Sequence, residues 1–397
     1  MKSVPVGNME ELIPPERILL GPGPSNVSPR VLRSMTAPIL GYLDPDFITI
    51  MDGVASMLRH IFGTKTGFTL PISGTGSAGM EAGLSNLLEP EDTAVILDNG
   101  FFGERMVEIA NRQRANVIRV SADWGTPVDP DLLEAELRQH KQIKLVAAVH
   151  AETSTGVLQP MADLAKIAHS YNALFMVDAV TSLAGNPVEM DKTGIDFCYS
   201  ATQKCLGAPP GLSPVALSEM ALEALSSRRT KPMSWYLDLG LLRDYWQGGT
   251  RVYHHTAPVS MIYALREALR IVSEETLEFR FDRHERNGKA LRAGLRALGL
   301  TLMVPDQICT YQLTSVQVPD NIDDVILRTR LLKEFNIEIG GGLGRFKGKV
   351  WRIGLMGESS RVANVLLLLS ALETLLPQMG YEVTAGSGIS AANAKLM

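Results

Sequence analysis

The sequence predicts an α/β protein with a large domain built on a mainly parallel sheet and a smaller C-terminal α+β domain. Two patterns in the 397 residues predict this arrangement. Between residues 68 and 217, short apolar runs alternate with helical patterns, as they do where helices join parallel strands. After about residue 280, long amphipathic helices are separated by isolated strand patterns.

The first part of the chain holds seven apolar runs that predict strands. Leu145–Val149 does not alternate between apolar and polar residues, which is typical of a strand buried on both faces. Met161–Ser170 places its apolar residues on one face of a helix. The predicted strands are 68–72, 93–97, 116–120, 145–149, 173–177, 195–199 and 214–217, and the predicted helices are 78–88, 131–140 and 161–170.

The second part begins after a helix predicted over 260–274. One long charged helix is predicted over 281–298, followed by a strand over 311–318 whose alternation predicts one exposed face. Residues 385–397 are small and polar, which predicts a flexible tail. The remaining predicted elements are a helix over 326–335, a strand over 349–355 and a helix over 362–376.

The composition is that of a globular protein with a large core. Hydrophobic residues make up 45% and charged residues 20%, which excludes a disordered chain and a collagen-like fibre. The 38 basic and 43 acidic residues leave a net charge of −5, too mild to predict binding to nucleic acid or a membrane surface. The cysteines show no metal-ligand spacing, so no metal site is expected, and they suit a reducing cytosol: Cys198, Cys205 and Cys309.

No targeting or membrane-spanning segment is predicted. Met1–Glu11 lacks the apolar stretch of a signal peptide. Val362–Leu376 is interrupted by Asn364 and Glu373, so it predicts a buried helix rather than a membrane span. We therefore expect a cytoplasmic protein.

A glycine-rich turn, Ser73–Gly79, follows a predicted strand and opens a predicted helix. It matches the pattern G-x-G-x-x-G, and Asp98 lies where a ribose-binding acid is found in dinucleotide-binding proteins. An NAD-dependent dehydrogenase is therefore one interpretation, and a plain strand–helix turn is another. Free N–H groups at the start of a helix attract phosphate, whether it belongs to a dinucleotide or to another ligand. The hydroxyls of Thr75 and Ser77 favour a phosphate monoester.

Two charged residues follow strands at the edge where parallel sheets bind ligands. Asp178 ends the predicted strand 173–177, where a carboxylate can hold a protonated pyridine nitrogen or simply cap a helix. Lys204 follows the next strand, and its flanking residues are small and apolar, unlike those of a solvated surface lysine. A lysine amine of lowered pKa can form a Schiff base with a carbonyl cofactor.

The glycine turn, the aspartate and the lysine, in this order, resemble the fold-type I enzymes that depend on pyridoxal 5'-phosphate (PLP). Within these, the chain is similar to the class V aminotransferases of the alanine–glyoxylate and serine–glyoxylate group. The resemblance covers nearly the whole chain and implies a seven-stranded sheet in the large domain. It is carried by Leu20–Asn26, His150–Gly156, Val177–Leu183, Gln203–Lys204, Arg251–Thr256, Ile339–Gly344 and Trp351–Leu355.

The resemblance implies a role for each matching residue around the cofactor. Lys204 is expected to carry the Schiff base and to shuttle a proton, and Asp178 to pair with the pyridinium nitrogen. Phe102 stands where animal alanine–glyoxylate enzymes stack a tryptophan on the ring, and Thr153 is expected to touch the ring hydroxyl or substrate. Ser77 stands where the animal enzymes have histidine. The residues expected to hold the phosphate are Thr75, Gly76, Ser77 and Gln203.

The remaining implied roles concern the substrate and a second copy of the chain. Arg352 is expected to bind the substrate carboxylate, since a guanidinium can do so through two hydrogen bonds. Gly23 and Tyr42 are expected in the substrate pocket. Tyr253 and Thr256 are expected to reach the phosphate of the neighbouring subunit, which makes the enzyme a homodimer.

The resulting hypothesis is a ping-pong transamination from alanine or serine to glyoxylate, giving glycine. The alternatives are an (S)-ureidoglycine–glyoxylate aminotransferase of purine breakdown and, from another class, the NAD-dependent dehydrogenase. The expected organisation is an N-terminal extension packing on the partner (1–25), a PLP-binding domain (26–275), a small domain (276–385) and a flexible tail (386–397).

Overall fold

The computed structural model describes residues 12–247 and 249–397. Its strands in chain order are β1 (Ile18–Leu19), β2 (Phe68–Ser73), β3 (Thr93–Asp98), β4 (Asn116–Ser121), β5 (Leu145–Val149), β6 (Ala151–Glu152), β7 (Val157–Leu158), β8 (Leu174–Asp178), β9 (Phe197–Tyr199), β10 (Leu212–Leu217), β11 (Leu313–Gln317), β12 (Ile337–Glu338), β13 (Gly340–Gly341) and β14 (Val350–Gly354). Its helices are α1 (Pro29–Ser34), α2 (Pro45–Phe62), α3 (Gly76–Leu87), α4 (Phe101–Arg112), α5 (Pro130–Leu137), α6 (Ala162–Ser170), α7 (Met190–Thr193), α8 (Glu219–Ser226), α9 (Leu239–Trp246), α10 (Val259–Glu275), α11 (Leu277–Ala297), α12 (Asp324–Phe335), α13 (Val362–Gln378) and α14 (Ser387–Leu396).

The large sheet confirms the predicted fold class. It has seven strands in the order β2-β10-β9-β8-β5-β3-β4. Strand β10 runs antiparallel to both of its neighbours, and the other strands run parallel to one another. The carboxyl ends of β2, β3, β5, β8 and β9 therefore meet at one edge of the sheet. In an open α/β sheet this edge is where ligands bind.

Helix α3 packs closely on the sheet at the positions where glycines face it. A Cβ atom added at Gly79 would come within 2.1 Å of Ser213 Oγ, and one at Gly83 within 2.6 Å of the Phe197 ring. Larger side chains at either position would push the helix outward. The small-residue pattern thus places the first turn of α3 directly over the carboxyl edge of the sheet.

The smaller domain has its own sheet, in the order β11-β14-β13, and its own apolar core. Strand β11 differs from the prediction, because Leu313 to Val316 are buried on both faces. The N-terminal strand β1 pairs with β12, so this part of the predicted extension packs on the small domain of its own chain. Residues 1–11 of the extension lie outside the described residues, and contacts with a second copy stay a prediction.

The flexible tail is a wrong prediction, because the segment forms α14 and packs on the small domain. Ala392 is fully buried, and the N–H of Gly388 donates to Glu373 Oε1 at 2.9 Å. A Cβ at Gly294 on α11 would lie 2.9 Å from the carbonyl oxygen of Gly388. Small residues, which sequence composition associates with loops, here permit two helices to approach closely.

Across residues 12–247 and 249–397, no helix combines the length and the apolar character needed to cross a membrane.

Candidate active site

A cavity of about 200 Å³ lies at the carboxyl edge of the large sheet. Seven of the residues singled out from the sequence line it, although they come from four separate segments of the chain. The sheet brings them together because each follows a strand that ends at this edge. The lining residues are Thr75, Gly76, Ser77, Met80, Phe102, Arg105, Asp178, Val180, Tyr199, Gln203 and Lys204.

The first turn of α3 forms one end of the cavity. Thr75 is the N-cap, and its side chain does not cap the helix, which leaves first-turn N–H groups free for a ligand. Gly74 has φ +156°, a conformation that favours glycine, and a Cβ at Gly76 would lie 3.0 Å from that of Ala201. Thr75 and Ser77 are exposed. This end offers backbone and hydroxyl donors to an anion.

Asp178 forms the opposite, buried end of the cavity. Its Oδ2 accepts a hydrogen bond from Tyr199 Oη at 2.5 Å, and its Oδ1 accepts one from the N–H of Val180 at 2.8 Å. Burial raises the pKa of this carboxyl to about 6, against the opposing effect of the Tyr199 hydrogen bond. A cation in the cavity, such as a protonated ring nitrogen, would therefore be stabilised here.

Lys204 lies between these two ends and is almost fully buried. Its Nζ donates to the carbonyl oxygen of Pro22. Burial, and then the charge of Arg352, lower the pKa of the amine to about 8, which makes it a better nucleophile and base near neutral pH. Gly23, at φ +109°, makes room for the lysine, because a Cβ there would lie 2.8 Å from Nζ.

Arg352 lies on β14 with its guanidinium beside the loop that carries Thr153. Its Nε donates to the carbonyl of Gly341 at 2.7 Å and its Nη1 to the carbonyl of Thr153 at 3.2 Å. Burial lowers the pKa of Arg352 to about 10. Within the described residues, no carboxylate lies within 4.0 Å of this guanidinium. A buried cation held only by carbonyls can bind a carboxylate supplied by a ligand.

The cavity fits the expected cofactor in three respects. The end formed by Thr75, Gly76 and Ser77, which we name the phosphate end, has free donors for an anion. The end formed by Asp178, which we name the buried end, has a carboxylate for a ring nitrogen. The lysine lies within the same 200 Å³ space.

Six of the predicted site residues are not among those that line this cavity: Gly23, Tyr42, Thr153, Tyr253, Thr256 and Arg352. Tyr253 and Thr256 are exposed, with their hydroxyl oxygen atoms 3.4 Å apart. The ring of Tyr42 packs on that of Tyr253, at 4.6 Å between centroids. Within one chain Tyr42, Tyr253 and Thr256 form an exposed group of their own, and none of them lines the cavity that holds Lys204.

The sequence reasoning missed three residues that shape the cavity. Tyr199 reads as part of an apolar strand, and only its position opposite Asp178 reveals its hydroxyl contact. Glu152 is fully buried and accepts hydrogen bonds from the N–H of Phe102 at 3.1 Å and from Ser154. Arg105 lies one helical turn after Phe102, and that i, i+3 spacing was the available signal.

Glu152 replaces the missing cap of α4. Gly100, the N-cap of this helix, has no side chain, and a Cβ there would lie 2.3 Å from Glu152 Cγ. The carboxylate takes that space and accepts from the first turn of the helix that carries Phe102. Burial raises the pKa of Glu152 to about 7, while the donors of Ser154 and Phe102 oppose that shift.

The dinucleotide interpretation does not agree with the geometry around Asp98. That carboxylate is buried and forms an ion pair with Arg119 on β4, so it is not free to bind a ribose. The glycine turn instead lines the same cavity as Lys204 and Asp178.

Comparisons with known proteins agree with this geometry. The family model for "Aminotransferase class-V" matches residues 40–345. The alanine–glyoxylate aminotransferase of Rattus norvegicus is 41% identical over 365 residues, which cover 91% of this chain and 88% of the relative. The crystal structure of ureidoglycine–glyoxylate aminotransferase from Bacillus subtilis has a TM-score of 0.95 at 42% identity, covering 97% of this chain and 99% of that one.

A second solved structure gives the same result. The crystal structure of alanine–glyoxylate aminotransferase from Nostoc sp. has a TM-score of 0.91 at 46% identity, covering 93% of this chain and 97% of that one. These matches overturn the dehydrogenase alternative. They confirm that the protein is an aminotransferase whose cofactor is PLP. The chain belongs to the class V aminotransferase family.

Proposed function

We propose that this enzyme transfers the amino group of alanine or serine to glyoxylate, giving glycine, by a ping-pong reaction in which Lys204 bonds covalently to the cofactor. The observation that carries the proposal is the buried Arg352 guanidinium, which has no carboxylate partner within the described chain and lies close enough to Lys204 to lower its pKa. An α-carboxylate held by Arg352 places the donor's Cα near the lysine amine. That is the geometry a proton transfer needs.

Each cavity residue has one task in this proposal. PLP, when bound, supplies an aldehyde carbon for the amino group and a ring that accepts electrons. Asp178 keeps the ring nitrogen protonated, and the Tyr199 hydroxyl fixes the orientation of that carboxylate. Phe102 covers the ring. Lys204, whose pKa is lowered to about 8, moves the proton to and from the donor's Cα.

The charges around the cavity support donors with small, uncharged side chains. Besides Lys204, Arg105 is the one cation among the described residues that line the 200 Å³ cavity, and it lies beside Ser77 at the phosphate end. A donor with a second carboxylate, such as aspartate, would find no further guanidinium besides Arg105 among the described residues that line the cavity. The side chains of alanine and serine need no second guanidinium.

(S)-Ureidoglycine is the second candidate donor, because a structural relative at 42% identity is named for it. A urea group needs amide or carboxylate partners. The segment Gly41–Leu43 offers no amide side chain, so we rank this donor second.

The test is a panel of amino donors on the purified enzyme, with glyoxylate and pyruvate as acceptors. Loss of the yellow colour of the lysine-bound cofactor is followed in single half-reactions with alanine, serine, aspartate, glutamate and (S)-ureidoglycine. Alanine or serine should react fastest, and glyoxylate should restore the colour. Fastest reaction with (S)-ureidoglycine would reverse the ranking, and fastest reaction with glutamate would contradict the proposal.

Arg352→Lys tests the observation itself. A lysine cannot form the two parallel hydrogen bonds of a guanidinium, so KM for the amino donor should rise about 10- to 100-fold. The control is Arg330→Lys on α12, a partly exposed arginine that is paired with Glu334 instead of lying unpaired. An unchanged KM would show that the carboxylate binds elsewhere.

We further propose that two copies of the chain complete each site. Tyr253, Thr256 and Tyr42 are exposed together, as expected for side chains that serve a neighbouring cavity. Mixing Lys204→Ala chains with Tyr253→Phe chains tests this. Because one site of each mixed dimer would then carry both substitutions and the other neither, activity should exceed that of either variant alone. No gain on mixing would contradict shared sites.

A cytoplasmic location is proposed from the cysteines. All three are free and buried, as expected where thiols stay reduced. Fractionation of the source cells tests this, and recovery of the protein outside the cytoplasmic fraction would contradict it.

A further inference from the structure

The phosphate end of the cavity lacks positive charge in the set of contacts proposed so far. Thr75, Gly76, Ser77 and Gln203 are neutral, and so are the two residues expected from a neighbouring chain. A phosphate monoester carries a charge of about −1.5 to −2 at pH 7. The positive end of the α3 dipole is equivalent to only about half an elementary charge. A side-chain cation at this end would therefore stabilise the bound phosphate.

Arg105 is such a cation. It lies on α4 one turn after Phe102, lines the same cavity, and donates from Nη1 to Ser77 Oγ at 3.0 Å. Its guanidinium carbon is 4.9 Å from the centroid of the Phe102 ring. The guanidinium thus lies where the first turn of α3 meets the ring-covering face of α4.

Arg105 has no carboxylate partner among the described residues. This distinguishes it from Arg112 on the same helix, which pairs with Glu108 at 2.8 Å. The hydrogen bond to Ser77 uses one donor of the guanidinium and leaves others free. An unpaired arginine with free donors at the edge of a cavity is suited to an anion that arrives with a ligand.

We propose that Arg105 is a cofactor-binding residue that supplies a guanidinium to the phosphate of PLP, with the hydroxyl of Ser77 as their shared neighbour. The inference rests on the proposed placement of that phosphate at residues 75–77. It assigns the counter-charge of the phosphate to α4, the helix that also carries Phe102. The same helix would then hold the cofactor by its ring and by its phosphate.

The test compares PLP with pyridoxal, which has the same ring and aldehyde but no phosphate. The full-length chain is stripped of cofactor and titrated with each ligand, and binding is read from the visible absorbance of the lysine-bound form. For Arg105→Gln, Kd for PLP should rise about 10- to 100-fold, the loss expected for a charge-assisted hydrogen bond, while Kd for pyridoxal stays unchanged. Arg105→Lys, which keeps the charge, should lie between the two.

Two further variants test whether a weaker affinity for PLP comes from the loss of a contact with its phosphate. Arg112→Gln removes a paired arginine from the same helix and should leave both affinities unchanged. Thr75→Ala removes a neutral contact from the phosphate end and should weaken PLP but not pyridoxal. Circular dichroism and the Tm of each stripped variant report whether it is folded.

Each other outcome overturns a defined part of the inference. Equal weakening of PLP and pyridoxal by Arg105→Gln would mean that Arg105 acts through the Phe102 ring, and unchanged affinities would mean that it does not act on the cofactor. Either result overturns the role of Arg105. If Thr75→Ala leaves PLP binding unchanged, the placement of the phosphate at residues 75–77 is wrong, and the inference fails with it. The donor panel is a separate measurement, so its failure would not be confused with these results.

Discussion

The two ends of the cavity are built in opposite ways. At the buried end, Asp178 and Lys204 are almost fully enclosed, and their hydrogen-bond partners come from the same chain. At the phosphate end, Thr75 and Ser77 are exposed, and the tyrosine expected to assist them, Tyr253, is exposed and does not line the cavity of its own chain.

This difference in burial separates the residues proposed to carry out the reaction from those proposed to retain the cofactor. Burial shifts the pKa values of Asp178 to about 6 and of Lys204 to about 8, which brings both toward neutral pH. Such shifts need a site of low dielectric constant, which the burial of both side chains provides. Anion binding needs only well-placed donors, so it tolerates solvent and, in the proposed dimer, donors from a second chain. We expect substitutions at the buried end to reduce turnover and substitutions at the phosphate end to reduce affinity.

The largest expected effect comes from removing the amine at the buried end. Lys204→Ala should lower kcat for transamination by at least about 1,000-fold, because it removes both the covalent anchor and the proton carrier. The variant should still bind PLP, since the phosphate end is untouched. The control is Lys192→Ala, an exposed lysine paired with Glu189. Retained turnover would contradict the role given to Lys204.

Asp178→Asn tests the buried carboxylate and should lower kcat about 100-fold, as expected when a charged hydrogen bond to the cofactor is lost. Both present contacts can survive, because an amide oxygen accepts from the Val180 N–H and the amide nitrogen can donate to Tyr199 Oη. The loss should appear in kcat rather than in the affinity for the phosphate. A variant with weakened PLP affinity but full kcat would reverse the assignment of the two ends.

The same substitution makes a prediction about stability. Because the folded-state pKa of Asp178 is raised from 3.8 to about 6, the folded state loses stability as pH rises through that window. The cost is fully present above about pH 6 and absent below about pH 4, and it amounts to about 3 kcal/mol. Cofactor-free Asp178→Asn should therefore have a higher Tm than the wild type at pH 7, with the difference shrinking toward pH 4.

Asp163→Asn on α6 is the matched control, because its carboxylate is exposed and pairs with Lys166. It should leave Tm unchanged at both pH values. A wild type more stable than Asp178→Asn at pH 7 would mean that the contacts of the carboxylate outweigh its burial.

Glu152→Gln should have an intermediate effect, because Glu152 serves both the buried end and the helix that covers the ring. The amide of glutamine has one acceptor oxygen, whereas the donors of Phe102 and Ser154 approach both carboxylate oxygens of Glu152. The substitution also removes a negative charge that raises the pKa of Lys204. We expect kcat/KM to fall about 10-fold, the cost of one disrupted buried hydrogen bond. The acid limb of its pH profile should move to lower pH. Glu108→Gln, on the exposed side of α4, should change neither quantity.

The smallest effect is expected at the ring. Phe102→Leu removes aromatic stacking that contributes about 0.5–1.5 kcal/mol, so PLP should bind about 2- to 10-fold more weakly. Phe102→Trp should bind PLP about as tightly as the wild type. Titration of the stripped protein measures both, and an unchanged affinity for Phe102→Leu would remove the ring contact from the proposal.

Much of the site was predictable because its residues follow strands. The predicted strand 173–177 places Asp178 at the carboxyl end of β8, and the glycine turn and Lys204 follow strands that end at the same edge. Parallel pairing brings such positions together without any knowledge of side-chain contacts. The tail was misjudged because composition does not report what Gly388 and Ala392 pack against.

The sequence by itself determined the succession of strands and helices along the chain. It also determined the glycine turn and the lysine and aspartate of the buried end, since these are local patterns of polarity and residue type. Only the tertiary structure decided the partners of those residues. Glu152 meets Phe102 across 50 residues, and Arg352 meets Thr153 across 199. Such contacts depend on how the sheet and the small domain pack, and so does the burial that shifts the pKa of Lys204. A local sequence pattern can indicate that a segment is buried, but the long-range contacts that a buried side chain makes are properties of the packed chain.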